Sequence, residues 1–135
     1  MMSNLSVILI VKIAITAILW GGPLLLLPSS LLSRIGFPLP EPQLFLRLLG
    51  VAYWALLAGY VFGLRVSLQG GYPAEAIWVG IISNGGAFIL LTAGAIRGIW
   101  SSWGVLAQVV MWGSVLGTGF VTTGLIWFGP LGMHE

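Results

Sequence analysis

One ammonium group is written into an apolar run. Lys12 lies about 10 Å inside the first hydrophobic segment at 1.5 Å per residue. A charge at that depth is costly unless its stem carries the head to the headgroups or a partner meets it. Glu75 is the acid expected at the same end of the molecule, so Lys12 reads as an anchor or an ion-pair member, with ligand contact as the sharper alternative. Counted by depth, Asn84 falls near Ser114 and Thr118, and Gln108 near Thr92. These amides would hold helix register or line a path for a small molecule or ion. Trp20, Tyr53, Trp54, Asn84 and Trp112 can wall a pocket for a hydrophobic ligand (a quinone, a carotenoid or a bound lipid), with Tyr53 or Asn84 giving the polar contact. Arg47, near the start of the second apolar run, can reach headgroups, Glu41, or the tail of an anionic lipid or cofactor.

What is missing narrows the chemistry further. The three acids, Glu41, Glu75 and Glu135, fall in loops, at a helix start or at the tail, which removes proton-coupled transport and pumping. No cysteine is present, and the one histidine, His134, stands beside the last residue, so neither thiolate chemistry nor haem ligation inside a span is expected. His134-Glu135 is too isolated for a metal site. No nucleophile–base pair can be assembled, and the chain reads as a non-enzyme. Five Lys/Arg are scattered singly, so the pI near 9.5 marks no nucleic-acid surface.

The elements that position these residues follow from composition. The chain has 135 residues, 59% of them hydrophobic and 6% charged, far below the roughly 25% charge of a water-soluble domain. The expected architecture is all-α: one membrane domain, residues 1–135, of four transmembrane helices in an antiparallel bundle. The spans are expected at about residues 5–27, 44–64, 74–96 and 103–128. The first exceeds the apolar core of a signal peptide and no A-x-A site follows it, so it is expected to be retained. Ser3 or Asn4 would cap its start, and Gly21-Gly22-Pro23 would kink it, because Pro23 cannot donate to the Leu19 carbonyl. The connector around Leu31, Leu32, Ile35 and Phe37 would lie on the membrane surface. Pro42 and Pro73 are placed as first helical residues, and Ser101 or Ser102 as the cap of the fourth span. Tyr72, Trp78, Trp127 and Phe128 would form one aromatic belt, and Phe37, Trp100 and Trp103 the other.

Four spans put both termini on one side, and Arg34, Arg47 and Arg97 against Lys12 and Arg65 tilt the opposite side slightly toward the cytoplasm. Gly59-x-x-x-Gly63, Gly94-x-x-x-Gly98 and Gly113-x-x-x-Gly117 are small-residue spacings suited to close helix packing, within the bundle or against another subunit. Trp54-Ala55-x-x-x-Gly59 and Trp112-Gly113-x-x-x-Gly117 echo one another as a two-hairpin repeat would.

A span ending at Pro28, a Leu31-Leu32-x-x-Ile35-Gly36-x-Pro38 connector, and Arg47-Leu48-Leu49-Gly50 entering a small-residue helix together resemble the DoxX-like small four-helix membrane proteins of bacteria. The resemblance covers the first hairpin. It implies a multi-pass bundle of the bacterial cytoplasmic membrane and a role beside a quinone-linked complex, and it transfers no catalytic residue. Gly117–Thr123 is also similar to a stretch of small fluoride channels. Thr123, however, is followed by Gly124-Leu125 in place of their Phe-Ser. The expected function is a non-catalytic accessory subunit of an energy-converting membrane complex of photosynthetic or respiratory electron transport. A binder of a quinone, carotenoid or lipid is the alternative, and a small ion channel comes third.

Overall fold

The computed structural model describes residues 3–132, and those residues form helices and turns with no strand among them. His134 and Glu135 lie outside the described residues. Four helical stretches, Asn4–Leu26, Leu44–Leu68, Ala74–Ile96 and Val105–Phe128, have mean hydropathy between 1.6 and 2.2. At 23 to 25 residues each, they are long and apolar enough to cross a membrane.

The first stretch is not one regular helix. It begins at α1 (Asn4–Ile15), where the Ser3 hydroxyl accepts from the Ser6 amide at 3.1 Å. It then widens into a π-helical segment over Thr16–Gly21 and resumes as α2 (Gly22–Leu26). The irregularity expected at Gly21-Gly22-Pro23 is therefore this π segment, which ends just before the proline. A wider turn moves the preceding carbonyls away from the pyrrolidine ring, and the Gly22 amide donates to Ala17, five residues back.

The surface connector contains a short helix, α3 (Ser29–Arg34). The second long helix, α4 (Leu44–Leu68), begins after Pro42 with Gln43 at its cap, and it runs past Leu64 to Leu68. Pro73 caps α5 (Ala74–Ile96), with Glu75 in the first turn, where the helix dipole favours an acid. The last helix, α6 (Val105–Phe128), is capped by Gly104 without a side-chain bond, contrary to the serines expected there. Ser101 instead closes its own turn onto the Gly98 carbonyl at 2.8 Å. The first amides of α6 are met from the connector: Gly104 N–H donates to the Gly36 carbonyl and Ala107 N–H to the Ile35 carbonyl, both at 3.2 Å. Gly36 has φ +94° and its Cα lies against Gly104, so no side chain fits at that crossing.

Two core clusters result. Leu9, Tyr60, Ile77 and Leu125 are fully buried near the chain ends, joining all four long stretches. Trp100, Met111 and Val115 form the other cluster, flanked by Trp20, Phe37 and Trp103. Trp100 is only 4% exposed, so it is core and not part of an interfacial belt, and its ring meets Trp112 edge-on at 6.0 Å. Trp78 and Trp127 remain exposed, as belt residues would.

Candidate functional site

Both halves of the first stretch, and the π segment between them, pack against α4. Gly50 makes the approach possible: a Cβ there would lie 2.9 Å from the Leu25 amide nitrogen. Side chains of α4 then donate to carbonyls of the irregular stretch. The Trp54 indole N–H donates to the Gly21 carbonyl at 3.1 Å. Both terminal nitrogens of Arg47 donate at 2.8 Å, to the carbonyls of Leu24 and Leu27. A guanidinium fork at a helix C-terminus satisfies two orphan acceptors and complements the dipole. Arg47 is thus spent on the backbone of its neighbour, where the sequence suggested headgroups, Glu41 or an anionic tail.

Lys12 turns inward. Its residue is 4% exposed, its ammonium donates to Asn84 Oδ1 at 2.9 Å, and it lies 4.4 Å from the centroid of the Tyr60 ring. The pairing expected with Glu75 does not form. Asn84 is nine residues beyond Glu75 on α5, about 13 Å along the axis, so the ammonium bound to Asn84 is out of reach of that carboxylate. Asn84 also departs from its expected partners on α6. Its Nδ2 donates to the Gly80 carbonyl at 2.7 Å, and Ser83 links onward to the Tyr60 hydroxyl at 2.8 Å. The hydroxyls of Ser114 and Thr118 bond back to carbonyls of their own helix. Gln108 donates to the Trp103 carbonyl at 2.9 Å and not to Thr92, whose buried hydroxyl has no partner among the described residues.

Lys12 and Asn84 line a cavity of about 340 Å³ between the two core clusters, walled by all four long stretches. Trp20 and Tyr53, with rings 6.3 Å apart and nearly parallel, are among its walls. Leu91, Gly113, Ser114 and Gly117 line it as well. Leu90, on the rim, is exposed, so the cavity opens on the outer surface of the helices. Of the five residues expected to wall a pocket, Trp20, Tyr53 and Asn84 line this cavity, whereas Trp54 and Trp112 do not. Trp54 is drawn to the Gly21 carbonyl and Trp112 to the Trp100 ring. Lys12 and Thr16, one turn apart on the same face, are lining residues that the aromatic pattern alone did not single out.

The glycine spacings divide in the same way. Gly63 lies against Ala76, and a Cβ on Gly94 would be 2.8 Å from the Trp100 ring. Gly98 has φ +65° and makes a turn. Among the described residues nothing lies within 4 Å of a Cβ at Gly59, Gly113 or Gly117, so these are not close-packing positions there. Gly113 and Gly117 instead leave the room that becomes the cavity.

A wider concavity of about 710 Å³ near the chain ends includes Ser3, Ser67, Tyr72 and Trp127. Its serine hydroxyls are bonded to one another, Ser3 to Ser6 at 2.9 Å and Ser6 to Ser67 at 2.8 Å, which leaves few convergent polar groups for a ligand. No family model matches the chain, and no curated protein or solved structure is significantly similar to it.

Proposed function

We propose that this chain is a multi-pass membrane protein that holds a small hydrophobic molecule in the cavity at Lys12. In this reading the four apolar helices cross the bilayer as an antiparallel bundle, with both termini on one side, in a bacterial cytoplasmic membrane. The observation that carries it is a buried ammonium, bonded to an amide, at the wall of an otherwise largely apolar cavity with an opening on the outer surface. Such a combination of apolar walls and one or two convergent polar groups is the usual form of a ligand site, and ionisable groups inside spans mark function by default. A quinone, a carotenoid or a lipid-like molecule would enter sideways from the bilayer past Leu90. The test is organic extraction of the purified protein followed by mass spectrometry. A stoichiometric apolar molecule supports the reading, and an extract holding only bulk lipid overturns it.

A second reading, an accessory subunit of an energy-converting complex, is favoured by the outer face of α4. Ala52, Ala55 and Gly59 are exposed there as a smooth small-residue surface, and among the described residues nothing covers Gly59. The resemblance of the first hairpin to DoxX-like proteins supports the same role. Native gels of gently solubilised membranes decide: migration within a larger assembly supports it, and migration as a free small protein removes it.

A further inference from the structure

We propose that the ligand of the cavity is a lipophilic monocarboxylate whose carboxylate pairs with Lys12, with its apolar body lying between Trp20 and Leu91. This rests on the cavity being a ligand site and adds the chemical class that the site selects.

The argument begins with charge. The Lys12 ammonium has three N–H donors, and among the described residues its one hydrogen-bond acceptor is Asn84 Oδ1. The Tyr60 ring faces it at 4.4 Å and offers a diffuse negative potential, not a counter-charge. The described carboxylates, Glu41 and Glu75, are both remote: one precedes α4, and the other stands nine residues before Asn84. An ammonium removed from water is stable only when paired and hydrogen-bonded. Lys12 lines the cavity, so a ligand held there is the available partner for the donors that Asn84 leaves free.

Position selects among anions. Asn84 is the eleventh residue of the 23-residue α5, so Lys12 Nζ lies close to mid-span. A phospholipid headgroup stays at the bilayer surface, about 15 Å from the midplane, and cannot reach it. A single-chain or aryl acid can enter whole. At about 340 Å³ the cavity is near the lower end of the roughly 300–1,000 Å³ of ligand pockets, which suits a small body and not a two-chain lipid. Ser114 and Thr118 donate to their own backbone carbonyls, which leaves the hydroxyls of Thr16 and Tyr53 as neutral polar groups beside Lys12, the charged residue of the lining.

The test uses the full chain in phosphatidylcholine nanodiscs and follows tryptophan quenching by ω-bromodecanoate and by its methyl ester. The acid is expected to quench saturably and at least about tenfold more tightly than the ester, the usual gain of a charge-assisted hydrogen bond over a neutral one. Lys12→Gln should erase that preference, and Trp20→Phe should remove the saturable component. Equal affinity of acid and ester overturns the carboxylate while leaving the cavity occupied, and it points to a neutral acceptor such as a quinone carbonyl. Absence of any saturable component for either compound overturns the cavity reading itself. Should Lys12→Gln not fold, as judged by gel filtration and circular dichroism, the acid–ester comparison on the unaltered protein decides alone.

Discussion

Replacing Arg47 tests whether the second helix holds the end of the first. Its guanidinium makes two 2.8 Å bonds to the carbonyls of Leu24 and Leu27. Hydrogen bonds from charged donors contribute about 1.5–3 kcal/mol each in favourable settings. Interhelical bonds measured in lipid average only ~0.6 kcal/mol, because the unfolded helices find other partners there. Arg47 is half-buried near a helix end, where water can replace part of what is lost. Two charge-assisted bonds discounted in this way give a loss of about 1.5–3 kcal/mol for Arg47→Ala. Arg47→Lys keeps the charge but cannot span two carbonyls, so it should lose about half as much. The assay is equilibrium unfolding of detergent-solubilised protein in rising dodecyl sulfate, followed by far-ultraviolet circular dichroism. If Arg47 only met lipid headgroups, lysine would serve as well as arginine. A lysine variant as stable as the parent, or an alanine variant within about 0.5 kcal/mol of it, would refute the clamp.

Further outcomes follow from the surroundings of Asn84, Gly117 and Gly50. Asn84→Leu deprives the Lys12 ammonium of its acceptor and should destabilise by about 2–3 kcal/mol. The double variant with Lys12→Leu should recover at least about 1 kcal/mol of that in the same unfolding assay, because the stranded charge is gone. Gly117→Leu places a side chain where nothing lies within 4 Å of a Cβ, so it should fill the cavity with a stability change under about 1 kcal/mol while abolishing saturable bromodecanoate quenching. Gly50→Ala drives a methyl against the Leu24 and Leu25 backbone and should cost about 1–3 kcal/mol, visible as a lower unfolding midpoint.

The four apolar helices were legible from their length and composition because lipid demands runs of about 20 apolar residues and little else produces them. Lys12 and Asn84 were each conspicuous as polar groups within apolar runs, but their meeting was not. Depth alone pairs Asn84 with α6, its neighbour in the α5–α6 hairpin, since consecutive elements usually pack together. The first stretch came closer from elsewhere in the chain. Trp54 and Trp112 fall outside the cavity for a related reason. A helix that is apolar all round gives no sequence signal of which face is inside, so shared depth stood in for shared direction. Arg47 could not be assigned to Leu24 and Leu27 because backbone carbonyls leave no mark in a sequence. Gly113 and Gly117 were visible as a small-residue spacing, but the same spacing serves close packing or open space. Only the neighbouring helices decide which.

The most direct measurement of the central claim is photo-crosslinking of the full chain in nanodiscs with a diazirine-bearing decanoate, mapped by peptide mass spectrometry. A ligand site at Lys12 predicts adducts confined to cavity-lining residues such as Lys12, Trp20, Tyr53, Asn84, Leu91 and Ser114, lost on competition with unlabelled decanoate. Adducts confined to outward-facing residues such as Leu116 and Phe120 and insensitive to competition, or no specific adduct at all, would contradict it.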